Sequence, residues 1–495
     1  MIIRDIPRRN ARRYPNKTAI VFEDTRYTFK ELNNRINSFA NALATMGLKK
    51  GDRLAMVADN CHQPVEIFWT AAKTGMAITV LNPTLPQRSL SYLINNAGAR
   101  VVVYTQNYHN LIESLQPELE KVENYIVIGA PGRSTKSYEE LVASYPPLEP
   151  EVEIGDDDLL YLPSTSGTTG LPKQIMHTHR SLLVIALEDL HAYNISKEDV
   201  ALYGAPLFWG FMIARLSIPC FYKACPVVIP PDFTPQCILQ TIEKEGITYA
   251  YASIPLVGEL TNYPDLDKYN HTSLQGVLAA GPPLPPEVWR RAIGTFGNIF
   301  VIHYGLVEMP MISLLPPKDI VFEGPPQVNR LSSCGKESLN AELRVIDEQG
   351  SDVQPGEFGE VIAKGNGMVK GYWNAPKATE EAIKGGYLYT GDLATIDEEG
   401  YIYLSGRKKD IITTQGKMLL PSEIEEIIYH HPQVLEVAVI GVPDEELGEA
   451  VKAVVVLKKG VKVTEEEIIT LCQQNLPPYS VPKSVNFVES LPKGF

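Results

Sequence analysis

In the first half of the chain, short unbroken apolar runs alternate with stretches whose apolar residues recur at helical spacing. The runs at 18–22, 53–58, 77–81 and 100–104 read as strands; the last, Arg-Val-Val-Val-Tyr, has the continuous β-branched pattern of a strand buried on both faces. Leu32, Ile36, Phe39, Ala40 and Leu43 share one helix face, with Thr28-Phe29-Lys30-Glu31 as a capping box and Gly47 as a stop. Residues 65–73 predict a second helix. This βα alternation implies layered sheets covered by helices. From about residue 340 the texture changes: 341–346 and 359–364 are strand-like and separated by Gly, Asp and Glu turns, as in an antiparallel region. A second change falls at Arg407-Lys408-Lys409. Beyond it come a helix at 421–429, strands at 434–442 and 450–457, and a helix at 463–474 whose first turn holds Glu465, Glu466 and Glu467. The expected fold is therefore α/β and α+β: a large N-terminal domain, 1–406, of layered sheets with helices plus a β-rich subdomain at 335–406, and a small α+β C-terminal domain, 407–495.

Composition narrows the function classes. Of 495 residues, 44% are hydrophobic and 21% charged, as in an ordinary globular protein with ample core. The net charge of −14 argues against a nucleic-acid partner, whose phosphates require a basic face. The six cysteines form no CxxC pair and no zinc spacing, so free, buried thiols in a reducing cytosol are expected. The N-terminus has no apolar core of a secretion signal, and no apolar run approaches the ~18 residues of a membrane span. These features together predict a cytoplasmic protein without integral membrane association.

One stretch concentrates chemistry. Thr165-Ser166-Gly167-Thr168-Thr169-Gly170-Leu171-Pro172-Lys173 packs four hydroxyls, two glycines and one lysine into nine residues. Glycines let the backbone approach a ligand, successive N–H groups make an anion-binding concavity, and the lysine adds a mobile charge. It is not a Walker A loop, because Lys173 follows Pro172 and no Ser or Thr comes next. An apolar run at 159–162 precedes it and another at 182–187 follows, so it connects structured elements.

Further blocks occur in order: Tyr304-Gly305-Leu306-Val307-Glu308, Tyr389-Thr390-Gly391-Asp392, and Gly406-Arg407-Lys408-Lys409-Asp410 followed by Gly416 and Pro421-Ser422-Glu423-Ile424-Glu425. With the loop at 165–173 they resemble the adenylate-forming superfamily of acyl- and aryl-CoA synthetases, peptide-synthetase adenylation domains and luciferases, and the resemblance covers essentially the whole chain. It implies an AMP-forming carboxylate–CoA ligase: a carboxylate attacks the α-phosphorus of ATP, pyrophosphate leaves, and CoA displaces AMP. Two anions meet in the first step, so catalysis rests on positioning and charge neutralisation.

The resemblance also implies roles. Thr165, Ser166, Gly167, Thr168, Thr169, Gly170 and Lys173 would hold the β- and γ-phosphates. Glu308 would ligate Mg²⁺. Asp392 would accept from the ribose hydroxyls, with Arg407 as a second ribose or phosphate contact. Tyr304 would stack on adenine, with Gly305 beside it and Gly281 passing close. Lys409 would be the hinge about which the small domain rotates between half-reactions, and Gly416 would line the thiol tunnel. The motif Ala205-Pro206-Leu207-Phe208-Trp209-Gly210-Phe211 matches the acid pocket; Trp209 and Phe211, with His303, Met309 and Met311, suggest a buried aromatic wall suited to an apolar aryl, alicyclic or medium-chain acid.

Two departures stand out. Val307 replaces the usual threonine, and the lost hydroxyl is worth ~1.5–3 kcal/mol at a charged oxygen. The sequence stops at Leu491-Pro492-Lys493-Gly494-Phe495, before the family's catalytic Gly-Lys, so a shortened C-terminal domain that adenylates poorly is expected. Two other readings stay open: loading of a carrier protein instead of CoA, and a non-catalytic nucleotide-binding protein. Monomer and homodimer are both left open. Among features outside the blocks, Gly365-Asn366-Gly367 with Gly371 reads as a β-turn before a dinucleotide loop, and the metal-like spacing of His177 and His179 finds no third ligand.

Overall fold

The computed structural model describes residues 3–132, 134–165, 171–209, 211–280, 286–320, 330–414, 416–444 and 447–491. The chain forms two compact units, Met1–Glu342 with Lys364–Leu388, and Leu343–Ala363 with Tyr389–Phe495.

The first unit is built on two sheets. One has seven strands in the order Lys136–Ser137, Asn124–Ile128, Ala99–Thr105, Arg53–Val57, Ala77–Val80, Leu159–Tyr161, His177–Thr178, all parallel except the last pair. The other has nine: Lys336–Glu337, Met309–Leu315, Phe300–Leu306, Gly276–Ala280, Tyr249–Ser253, Ala201–Gly204, Val227–Ile229, Thr18–Phe22, Thr25–Thr28. Its interior is parallel and its edges turn back antiparallel.

The residue pattern explains the layering. Along Arg53–Val57, Leu54 and Met56 enter one core cluster while Ala55 and Val57 enter another, and Val101 and Val103 divide from Val102 and Tyr104 in the same way. A strand apolar at every position is covered on both faces. The first of these clusters also takes Ala201, Tyr203, Val227 and Ile229 from the nine-stranded sheet, with the helices Phe29–Thr45, Gln63–Thr74, His179–Tyr193 and Met212–Lys223 contributing to it. The predicted capping box at Thr28 forms in full: its hydroxyl accepts from the Glu31 N–H, and the Glu31 carboxylate accepts from the Thr28 N–H. Gly47, at φ +84°, lies just past that helix.

The second unit has its own core of Ile412, Ile424, Ile428, Val437, Val439, Ala453, Val455, Ile468 and Cys472. Its helices are Pro421–Tyr429 and Glu465–Asn475, and strands Val434–Asp444 and Gly448–Leu457 pair antiparallel. The stretch Leu343–Ala363 clusters with this unit. All six cysteines are free thiols, but only four are buried, Cys237 and Cys334 being partly exposed; among the described residues no helix is long and apolar enough to cross a membrane.

A buried carboxylate ties three helices of the first unit. Glu66, fully buried, accepts from Arg35 Nε at 3.1 and 3.0 Å and from Tyr138 Oη at 2.8 Å, and lies 2.6 Å from His62 Nδ1. Removing one partner of such a cluster leaves the rest buried and unpaired. Glu66→Ala is expected to cost about 3–5 kcal/mol in denaturant unfolding; a loss below about 1 kcal/mol, as for an exposed pair, would show that the network carries no stability.

Candidate active site

The loop that the sequence singles out is anchored at its neck. Strands Leu159–Tyr161 and His177–Thr178 pair antiparallel, and Ser164 pairs with Gln174. The Thr165 N–H donates to the Lys173 carbonyl at 2.9 Å, and the Lys173 N–H donates to Thr165 Oγ1 at 3.1 Å. Both ends of the stretch are thereby fixed, with Lys173 exposed. Ser166, Gly167, Thr168, Thr169, Gly170 and Gly281 lie outside the described residues.

Glu308 occupies a tight hairpin. Strands Phe300–Leu306 and Met309–Leu315 pair antiparallel, with Leu306 opposite Met309, so Val307 and Glu308 form the connection. The turn leaves no room at Gly305: a Cβ there would lie 2.5 Å from the Pro310 backbone. Tyr304, on the first strand, is buried opposite Ser313.

Two side chains hold this turn. Tyr372 donates to Glu308 Oε1 at 2.6 Å, and burial, followed by the neighbouring carboxylate, raises the phenol's pKa and keeps it a donor. Lys173 Nζ lies 5.1 Å from the Tyr372 ring centroid, so the same tyrosine touches the loop lysine and the hairpin carboxylate. On the other side, His177 Nε2 lies 2.8 Å from the Val307 carbonyl and Nδ1 is 3.3 Å from Ser181 Oγ. Burial depresses the His177 pKa to about 3, so the ring is neutral. The carbonyl can only accept, which places the proton on Nε2. The Val307 side chain packs against the main core.

Sequence reasoning missed both clamps. Tyr372 follows Gly371, and the segment pairs with the chain just after the loop: Ile175 bridges Tyr372, the Met176 N–H donates to Gly371 at 3.0 Å, and the Trp373 N–H donates to Gln174 at 2.8 Å. Gly371 stands at φ +129° with Thr379 Cγ2 2.3 Å from where a Cβ would be. Gly365 opens a turn closed by the Met368 N–H. The signal available was the glycine punctuation at 365–371, which marks a turn and a close backbone approach. Among the described residues, no three His, Cys, Asp or Glu gather where they could hold a metal ion.

The acid-pocket residues divide. Phe211 is buried against His177, with ring centroids 4.6 Å apart, and against Tyr161 at 5.8 Å. Met309 and Met311 are buried. Trp209 corrects the expectation of a buried aromatic wall: it is 43% exposed, because it sits in the turn that precedes the helix Met212–Lys223. His303 contacts Arg215, an unforeseen buried cation paired with Asp189.

In the second unit, Asp392 and Arg407 face each other across paired strands, joined by an ion pair of 3.0 Å between Arg407 Nε and Asp392 Oδ1. Asp392 is buried and Arg407 about half exposed. Glu360 steadies this end, accepting from the Gly391 N–H at 3.2 Å and from Lys408 Nζ at 3.1 Å. Lys409 lies in the short turn Lys408–Asp410 and is exposed. Gly416 stands at φ +73° between strands Ile412–Thr414 and Lys417–Leu419, a conformation that favours glycine.

The first unit thus carries a Ser/Thr/Gly stretch closed at its neck by Lys173 and a hairpin carboxylate tied to that lysine through Tyr372, and the second unit a carboxylate–arginine pair. The family model described as AMP-binding enzyme matches residues 7–373, and that of the AMP-binding enzyme C-terminal domain matches 423–494. The chain belongs to this family. It is 30% identical over 486 residues to a feruloyl-CoA synthase of Amycolatopsis, covering 98% of this chain and 95% of that protein. Among solved structures it resembles the anthranilate CoA ligase AuaEII in complex with anthranoyl-AMP, with a TM-score of 0.90, 27% identity, and 100% and 94% of the two chains covered. It also resembles ATP-bound MatB from Rhodopseudomonas palustris, with a TM-score of 0.89, 26% identity, and 100% and 96% covered. The protein is accordingly an AMP-forming carboxylate–CoA ligase that uses ATP and CoA and proceeds through an acyl-adenylate.

The His177 clamp has a pH signature. The unfolded chain binds its proton near pH 6.5 and the folded chain only near about 3, so stability falls as pH drops through that window. Between pH 7 and 5 this group removes on the order of 2 kcal/mol. His177→Gln is expected to unfold with a correspondingly shallower pH dependence over that range; an unchanged slope in denaturant titrations would contradict a buried neutral imidazole.

Proposed function

We propose that the chain activates an apolar-bodied aryl, alicyclic or medium-chain acid, with Lys173 and the Thr165–Gly170 stretch on the leaving phosphates and Glu308 on a magnesium ion. The reading rests above all on the Lys173–Tyr372–Glu308 contact, in which one half-buried tyrosine links the cation that ends the Thr165–Lys173 stretch to a carboxylate. Mg²⁺ suits that carboxylate: it is a hard ion that takes one or two carboxylates and fills its remaining positions with phosphate oxygens and water. When bound, the ion neutralises charge that builds as the carboxylate approaches the α-phosphate.

The chain's own groups do the rest. Lys173 meets the phosphate chain, while Tyr372 keeps the Glu308 carboxylate oriented. His177 holds the Val307 carbonyl, so the hairpin does not shift as charge moves in the reaction. Tyr304 offers a ring to the adenine. On the second unit, Asp392 takes the ribose hydroxyls with Arg407 held beside it, Lys409 serves as the pivot, and Gly416 allows close passage of the thiol. Phe211, His303 and Met309 line the acid pocket, with Trp209 at its exposed rim. Relatives named for feruloyl-CoA and anthranilate support an aryl body, and long-chain-fatty-acid–CoA ligases, at the same 30% identity as the former, support an acyl chain.

Glu308→Gln should lower the rate of coupled AMP and thioester formation by about 10²–10³-fold, and Tyr372→Phe by about tenfold, the effect of one hydrogen bond. Wild-type rates in Glu308→Gln across a Mg²⁺ titration would remove the carboxylate from this role.

A further inference from the structure

Beside the Glu308 hairpin lies a buried cation with nearly all its bonding capacity used. Arg215 donates from Nε at 3.1 Å and from Nη2 at 2.9 Å to Asp189 Oδ1, and from Nη1 at 3.3 Å to the Pro310 carbonyl and at 2.7 Å to His303 Nε2. A guanidinium only donates, so His303 Nε2 must present its lone pair. Burial, with Arg215 adding to it, keeps the imidazole neutral. The ring proton therefore sits on Nδ1. That nitrogen is enclosed and has no hydrogen-bond partner among the described residues. An enclosed donor without an acceptor is costly.

Its place in the fold is beside the hairpin. The Arg215 N–H bonds the Phe211 carbonyl at 3.0 Å, so the two residues are one helical turn apart. Phe211 packs on His177, and His177 holds Val307, the neighbour of Glu308. Pro310, bonded by the same Arg215 Nη1 that meets His303, is two residues beyond Glu308. His303 precedes Tyr304 on the strand that ends in the hairpin. The unpaired donor thus belongs to the layer of side chains that backs the carboxylate-activating turn, on the side of the Met212–Lys223 helix.

We propose that His303 Nδ1–H is a specificity-determining donor that reads a hydrogen-bond acceptor, an ether, hydroxyl or carbonyl oxygen, carried by the acid away from its carboxylate. Asp189 and Arg215 are positioning residues: they fix the tautomer and act on the substrate only through His303. This deepens the proposed function and rests on its assignment of His303 to the acid pocket.

The test pairs near-isosteric acids that differ in the acceptor, 3- and 4-methoxycinnamate against 3- and 4-ethylcinnamate, and reads kcat/KM for AMP release. The wild type should favour the methoxy member of at least one pair by about tenfold or more, carried mainly by KM. His303→Asn, whose oxygen accepts from Arg215 and whose amide still donates, should keep a preference. His303→Asp, which also accepts from Arg215 but has no donor, should lose it, to within about threefold of unity. Because both variants keep a partner for the buried guanidinium, matched melting temperatures control for folding. Turnover without any methoxy preference in the wild type, or the same preference in His303→Asp, overturns the inference alone. Absence of turnover with all four acids, beside turnover of a straight-chain acid, overturns the inference together with the aryl reading.

Discussion

Glu308 is held in place by parts of the chain far from it in sequence, and the hairpin end of the first unit depends on that restraint. A two-residue connection between antiparallel strands fixes the backbone, and Gly305 permits the strand to pass Pro310 closely. The side chain is then fixed by Tyr372 and the backbone by His177. In its proposed role among phosphates the carboxylate would sit in a field of like charge, and without such restraints it would turn away. The same two clamps connect the turn to the loop at Thr165–Lys173. Tyr372 touches Lys173, and its strand pairs with the residues that leave the loop. One set of contacts therefore registers the cation, the carboxylate and the loop neck against one another.

The buried Arg215–Asp189 pair adds a second restraint. A charge pair at this depth is rarely there for net stability, since desolvation offsets the attraction. Burial lifts the Asp189 pKa to about 6 despite the attraction of Arg215, which shows how strongly desolvation acts there. What the pair supplies is geometry. It orients Arg215, which orients His303 and bonds the Pro310 carbonyl of the hairpin.

Much of this was legible in the sequence because it is local. The Thr28 capping box, the doubly buried strand at Ala99–Thr105, the free cysteines and the loop bounded by Thr165 and Lys173 all follow from spacing within a few residues. Glu308, Asp392 and Arg407 were found through short ordered motifs, and the ion pair between the last two is a register contact of adjacent strands. What escaped is long-range. Tyr372 meets Glu308 across 64 positions, His177 meets Val307 across 130, and Arg215 meets His303 across 88. No periodicity records which distant polar side chain will satisfy a given buried atom. Trp209 shows the converse error: its apolar character suggested burial, but a turn before a helix turned it outward.

The acid is activated by attack of its own oxygen on the α-phosphorus of ATP. Turnover of acid labelled with ¹⁸O at both carboxyl oxygens with ATP and CoA, followed by mass spectrometry of the nucleotide product, measures that bond directly. One ¹⁸O should appear in AMP for each thioester formed, with none in pyrophosphate. Label in inorganic phosphate or pyrophosphate, or thioester formed with unlabelled AMP, would contradict the acyl-adenylate route and with it the roles given to Lys173 and Glu308.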